Sequence, residues 1–333
     1  MTRPARARRA LLTGTLAVLG WCGAPVRAAA QDSHLLVITG VSGDAAHAAQ
    51  FHKWASALVT AAIEKDGVPA DHITYLAEDV TVDAGRIRAR STRPNVEKAV
   101  ADLAKASRPG DPITIVLIGH GAFDGKVASF NLPGPDLTAG EWATLLGTLA
   151  GRQVAFVDTT ASSGPFVAAV AAPGRTVVTA TKTGGERNEP QFGAFFTEAF
   201  GEPSADADRN GHVSIFEAFT YANNKVAKVY EQAGLLRTEH ATLEDGHDGV
   251  QAATQFLTAH PSDGGLQVDT TDPVMRALVA EREALQRDVD ALKLRKSTLD
   301  PSRYEHDMEA LLTDLALKTK AIRDLQAQHA PRK

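Results

Sequence analysis

Two stretches of the sequence decide the fold: residues 113–121, ITIVLIGHG, and residues 154–164, VAFVDTTASSG. Each starts as a short apolar run rich in Val, Ile and Phe, and each ends in small or polar residues. Similar apolar runs bounded by turn residues occur at 35–39, 72–76 and 176–180. Runs of this kind are typical of strands that are buried on both faces of a parallel sheet.

Amphipathic segments lie between these runs. One helical face collects Phe51, Trp54, Leu58 and Ala62, and another collects Val96, Val100 and Leu103. Thr138 and Glu141 have the spacing of a capping box, which indicates a helix start before Trp142. Alternation of strands and helices predicts an α/β fold, with a mostly parallel sheet and helices on both faces, over residues 31–258.

The two quoted stretches end in candidate site residues. In open α/β sheets, ligands bind beyond the carboxyl ends of the strands. His120 follows the first strand, and Asp158 starts the polar turn that follows the second. We expect Asp158 to cap this turn rather than to take part in chemistry.

The N-terminus has the layout of a secretory signal peptide. Residues 1–30 carry five arginines and no acids, then an apolar run, then Ala28-Ala29-Ala30. The single cysteine, Cys22, lies inside this segment. After cleavage the chain has no thiol for a disulfide, a metal site or catalysis, and the layout predicts a periplasmic or secreted protein.

Charge excludes some classes of partner. Residues 31–271 hold 18 basic and 29 acidic residues, a net charge of −11. Nucleic acids and anionic membranes need a basic surface, so we do not expect them as main partners. No stretch after the signal peptide is long and apolar enough for an integral membrane segment.

The composition changes after a linker at 259–271. Leucines recur every seven residues from Leu278 to Leu299, and the intervening seam positions are Met275, Arg282, Val289 and Lys296. Pro301 is suited to open a second helix. Residues 272–330 are therefore predicted to form a helical hairpin or coiled coil, either docked on its own domain or used for self-association.

Residues 206–217 match the twelve-residue calcium loop of EF-hands. The expected ligands are the side chains of Asp206, Asp208, Asn210 and Glu217, the backbone carbonyl of His212, and Ser214 directly or through water; Gly211 makes the turn. The alternative is a solvated acidic turn that caps the next helix. A second acidic turn at 244–249 lacks the full spacing and is a weaker metal candidate.

Several segments, taken in chain order, resemble the legumain/caspase type of cysteine peptidase (clan CD), closer to the legumain branch. The resemblance covers roughly residues 35–200 and rests on LLVITGVSGD, GVPADHITYLAED, STRPNVEKAV, ITIVLIGHGAFDG, FNLPGPDL and VAFVDTTASSG. It implies a caspase-like sheet, with His120 as the histidine of the active site. By the same resemblance, the nucleophilic cysteine falls on Ala161, whose methyl group cannot attack a carbonyl.

These expectations lead to a main hypothesis and two alternatives. The main one is an exported, catalytically inactive peptidase homologue that binds Ca²⁺ and a protein or peptide partner. The first alternative is a hydrolase that uses Ser162 or Thr160 with His120 as base, although a hydroxyl is a far weaker nucleophile than a thiol. The second is a structural protein that acts through its C-terminal helices.

Overall fold

The strands lie close to where the apolar runs predict them. The computed structural model describes residues 32–258, 272–294 and 299–329, so the predicted signal peptide and linker lie outside the described residues. The strands are β1 His34–Thr39, β2 Ile73–Ala77, β3 Ile87–Arg90, β4 Pro112–Ile118, β5 Gly121–Phe123, β6 Ala128–Phe130, β7 Leu137–Thr138, β8 Gln153–Asp158, β9 Arg175–Thr179 and β10 Thr242–Glu244.

Seven of these strands form one sheet in the order β10-β9-β8-β4-β1-β2-β3. All neighbours pair in parallel except β10, which runs antiparallel to β9. The central strands β1 and β4 are buried along their whole length. The predicted α/β fold with a mostly parallel sheet is confirmed.

The sequence patterns missed the edges of the sheet and a small second sheet. β3 and β10 lie at the edges, and β5, β6 and β7 form a three-stranded antiparallel sheet directly after His120. These strands have two to four residues each, too few to show a hydrophobic period.

Helices cover both faces of the large sheet, as predicted. The helices are α1 Ala45–Glu64, α2 Arg93–Ala106, α3 Ala139–Gly147, α4 Pro165–Val170, α5 Phe192–Ala199, α6 Ile215–Gln232, α7 Val250–Ala253, α8 Pro273–Leu294 and α9 Pro301–His329. α1, α5 and α6 pack on one face, where Leu35 and Val37 point. α2, α3 and α4 pack on the other face against Leu36 and Ile38.

Local side-chain chemistry sets two helix starts near the strand ends. The Thr138–Glu141 capping box is present at the start of α3, which confirms that prediction. Asp44 caps α1 by accepting hydrogen bonds from the backbone amides of Ala46 and His47. α1 therefore begins immediately after the loop that follows β1, which places its first turn beside the strand ends.

The C-terminal helices pack against each other as an antiparallel hairpin. Glu281 of α8 pairs with Lys318 of α9, and the Nε of Arg282 donates to the hydroxyl of Thr319 at 3.0 Å. Val289 and Ile322 are buried. α8 also contacts α7, so the hairpin adjoins the α/β body. Within the described residues, no helix is long and apolar enough to cross a membrane.

Candidate functional site

The two predicted strand ends meet, since β4 and β8 are neighbours in the sheet and Leu117 pairs with Asp158. Gly121, the residue after His120, packs directly on the turn after β8. A Cβ atom at Gly121 would collide with the hydroxyl of Thr160 and the carbonyl oxygen of Ala161. The structure therefore brings the histidine strand end and the polar turn into contact.

A backbone carbonyl fixes the ring of His120. Its Nε2 lies 3.1 Å from the carbonyl oxygen of Ser42, in the loop after β1. A carbonyl can only accept, so Nε2 carries the proton and a neutral imidazole keeps its lone pair on Nδ1. Ser42 is itself held by Glu78, whose Oε2 accepts from the Ser42 amide at 2.9 Å and from its hydroxyl at 2.6 Å.

A second histidine stands edge-on to the first. The ring centroids of His47 and His120 are 5.0 Å apart. Phe51, which lies in α1 together with His47, also packs against the His120 ring. His47 lies between two carboxylates, with Nδ1 2.7 Å from Asp44 and Nε2 3.0 Å from Glu189. Hydrogen bonds, with Glu189 first and then with Asp44, raise the pKa of His47.

The hydroxyls of the turn are turned toward the protein. Thr160 is fully buried, and its hydroxyl donates to the Ala161 carbonyl at 3.2 Å. The hydroxyl of Thr159 donates to the carbonyl of Leu117 at 2.8 Å. The hydroxyl of Ser163 is 3.1 Å from that of Thr181. Each of these three hydroxyls has a partner in the protein.

Neither alternative nucleophile is engaged by the histidine. In the part of the chain that the structure describes, no hydrogen bond joins His120 to Ser162 or Thr160. Ser162 is buried and adopts a left-handed backbone conformation with φ of 57°, while its amide donates to the carbonyl of Glu186 at 2.9 Å. Ala161 is 9% exposed, and its side chain is only a methyl group.

Asp158 is a buried carboxyl at the base of the turn. Its Oδ1 accepts from the Thr160 amide at 3.0 Å, which confirms the predicted capping role. Among the described residues, its Oδ2 has no hydrogen-bond partner. Burial raises the pKa of Asp158 to about 6, because the charged form loses its hydration.

Sequence reasoning missed the acidic rim of this site. Asp44 and Glu189 come from segments far apart in the chain, and only the fold brings both to His47. The side chains of Asp44 and Glu189 are 56% and 40% exposed. The sequence analysis named neither residue as a site candidate, because each lies in a short polar segment without a motif.

The calcium-type loop lies at the start of α6, away from the strand ends in sequence. Ligand atoms from the carboxylates of Asp206, Asp208 and Glu217 all lie within 4.8 Å of one another, and the three residues are half-buried. Gly211 has φ of 93°, as the tight turn requires. Three of the six predicted ligand residues are thus brought together through their carboxylates.

The other three predicted ligands have these contacts. The side-chain oxygen of Asn210 accepts from the His212 amide at 2.8 Å, and its Nδ2 donates to Asp208. The ring of His212 is buried against Asp66, with 2.8 Å between Nδ1 and Oδ1. Ser214 caps α6 together with Glu217.

The second acidic turn is explained by its backbone. Asp245 accepts hydrogen bonds from the amides of His247, Gly249 and Ala252. Burial opposes the charged form, but these amide hydrogen bonds outweigh it and lower the pKa of Asp245. Its carboxylate therefore organises the start of α7.

No family model and no curated protein matches the chain. Among solved structures, protein GSU0716 from Geobacter sulfurreducens is similar. It is 14% identical, the match covers 63% of this chain and 92% of that chain, and the TM-score is 0.41. At these values the likeness carries no inference about function.

Proposed function

We propose that this protein binds a basic peptide segment at the strand ends around His120 without cleaving it. The observation that carries the proposal is the pair of exposed carboxylates, Asp44 and Glu189, that flank His47 beside His120. A Lys or Arg side chain can donate charge-assisted hydrogen bonds to such carboxylates. The acidic body, with a net charge of −11 over 31–271, attracts cationic ligands from a distance.

The absence of cleavage follows from the chemistry of the turn. A thiol nucleophile is excluded, because the sequence has no cysteine after Cys22. The hydroxyl of Thr160 is buried and already donates to Ala161. A general base must lie within hydrogen-bond reach of the proton it removes, and among the described residues no hydrogen bond joins His120 to the hydroxyl of Thr160 or Ser162.

Calcium is the second part of the proposal. The loop offers hard oxygen ligands at the spacing that Ca²⁺ prefers, and three of its carboxylates already converge. The loop also touches the end of α1 through the buried His212–Asp66 pair. We expect bound Ca²⁺ to stabilise the connection between α5 and α6 and thereby the face on which α1 packs.

Location and assembly complete the proposal. The layout of residues 1–30 supports export, to the periplasm or beyond, where calcium is abundant enough for a loop of moderate affinity. The hairpin of α8 and α9 is proposed as an element of self-association, since among the described residues α9 packs mainly against α8.

The test is a peptide-library experiment on the purified protein in Ca²⁺. Peptides of mixed sequence are incubated with the protein, and retained and cleaved peptides are identified by mass spectrometry. We expect retention of Lys- and Arg-containing peptides and no cleavage. His120→Ala and Ser162→Ala variants are run in parallel. Cleavage that is lost in both variants would replace this proposal with the hydrolase alternative.

A further inference from the structure

We infer that two copies of this chain pair through one face of α9, antiparallel and centred near Leu312. The inference rests on the proposed self-association and names its surface and its geometry. Tyr304, Met308, Leu312 and Ala316 line a shallow groove of about 690 Å³, and every described residue that lines it belongs to α9. Leu312 is 48% exposed and Leu317 at the groove's edge is 60% exposed.

The groove continues toward α8. Leu312, Ala316 and Lys320 also line a second concavity of about 370 Å³, to which Arg282 of α8 contributes. The surface therefore spans one side of the hairpin, where a second hairpin could pack to form a four-helix bundle. Helices in such bundles lie roughly 8–10 Å apart, close enough for Leu312 to be covered.

The charged residues at the two ends of the groove favour a second copy of this chain as its occupant. Two acids, Glu305 and Glu309, flank the N-terminal end of the groove, and Lys320 flanks its C-terminal end. Among the described residues, none of the three belongs to an ion pair. Leu312 lies close to midway between Glu305 and Lys320. An antiparallel copy therefore brings Lys320 within about one residue of Glu305, and it does so twice by symmetry.

A parallel copy would instead set acids against acids and lysine against lysine. Like charges across an interface disfavour an arrangement, so the same pattern that supports the antiparallel pair opposes the parallel one. Opposite charges at the two ends of the α9 groove make the groove self-complementary, while Asp324 lies beyond Lys320 in the second concavity. That favours a second copy of this chain over an unrelated partner.

The first test measures association of the purified protein by sedimentation velocity over a range of concentrations. The wild type is expected to form a dimer, and Leu312→Asp is expected to weaken it by at least about tenfold, since it buries a charge in the apolar centre. The matched control is Leu236→Asp, which makes the same change at a leucine that is 90% exposed in the loop after α6. This control should dimerise like the wild type.

The second test measures orientation by cysteine cross-linking. Cys22 is the only cysteine in the sequence, so variants in a Cys22→Ser background report single positions. An equal mixture of Glu305→Cys and Lys320→Cys proteins should form a disulfide-linked dimer on mild oxidation, while either variant alone should not. Cross-linking of each variant alone would establish a parallel pair and overturn the inference.

The remaining outcomes separate this inference from the proposals on which it stands. A dimer that is unaffected by Leu312→Asp, or that gives no cross-link in the mixture, would keep self-association but overturn this face. A protein that is monomeric at every concentration would overturn both. Neither result bears on peptide binding, which is measured at the strand ends.

Discussion

At the residue scale, the least expected group is Asp158. Its carboxyl is completely buried, and one of its oxygens has no partner in the part of the chain that the structure describes. Such a group is costly when charged, and this cost raises its pKa to about 6 from an ordinary value of 3.8. Between these pH values the unfolded chain releases the proton while the folded protein keeps it. The contribution of Asp158 to the free energy of unfolding therefore falls as pH rises through this window and stays low above it.

Asp158→Asn should remove this cost. The amide keeps the oxygen that accepts from Thr160 and carries no charge. We expect the variant to be more stable than the wild type at pH 8, by roughly 1–3 kcal/mol, and to show little difference at pH 4. Urea unfolding at the two pH values measures this.

The matched variant for this prediction is Asp158→Ala. It also removes the charge, but it loses the cap on the Thr160 amide and leaves a cavity. It should be less stable than Asp158→Asn at both pH values. Equal stability of wild type and Asp158→Asn at pH 8 would show that the ionised carboxyl does not lower the free energy of unfolding.

At the scale of elements, the proposed calcium loop at 206–217 connects three helices. It follows α5 and starts α6 through the Ser214–Glu217 capping box. It also contacts Asp66, which lies two residues after the end of α1. Without an ion, three carboxylates within 4.8 Å repel one another, and backbone amides of the loop offset part of this repulsion.

Ca²⁺ should therefore raise the midpoint of thermal unfolding, and Asp208→Asn should reduce the increase. For an ion at about a hundred times its Kd, linkage gives about 2.7 kcal/mol of stabilisation. Differential scanning calorimetry with Ca²⁺ and with EDTA measures the increase. The control is Asp248→Asn in the second acidic turn, which should respond to Ca²⁺ like the wild type.

A result against the calcium proposal is equally clear in this experiment. If wild type and Asp208→Asn unfold at the same temperature with Ca²⁺ and with EDTA, the loop is only a cap for α6. This result would leave the proposal of a peptide site untouched, because the strand ends contain none of the loop residues.

The strands and helix starts show how much of the fold can be predicted from sequence patterns. The five apolar runs predict their strands to within a residue or two. In each run, apolar residues follow one another without alternation, as is typical of strands in a parallel sheet covered on both faces. The capping boxes at Thr138 and Ser214 are short-range signals that need no tertiary contact. Strands such as β5 and β7 form only because neighbouring chain segments are already in place, so no local pattern predicts them.

At the scale of the whole molecule, the candidate site also consists of residues that the sequence predicts and residues that only the fold reveals. His120 and the turn after β8 follow from the rule that ligands meet the carboxyl ends of parallel strands. Glu78 and Glu189 reach the site from loops whose positions depend on the complete fold. Their partners, Ser42 and His47, lie 36 and 142 residues away in the chain. No pattern in one sequence encodes such pairs.

The net charge is also a property of the whole molecule. The acidic residues of 31–271 outnumber the basic ones by 11, and two exposed carboxylates, Asp44 and Glu189, lie near His120. Under the proposed function, the net charge of the whole body attracts a cationic peptide, and a few side chains hold it. Removing one of these groups should thus weaken binding while leaving the preference for basic peptides in place.

The most direct test of peptide binding is a fluorescence anisotropy titration of the protein with a labelled arginine-containing peptide and its glutamate counterpart. We expect the arginine peptide to bind more tightly, and Glu189→Gln to weaken it by roughly three- to tenfold, as for a partly exposed charge-assisted hydrogen bond. Glu64→Gln, the same change at the far end of α1, should leave its affinity unchanged. Equal affinity for the two peptides, or the same affinity in Glu189→Gln as in wild type, would contradict the proposed site.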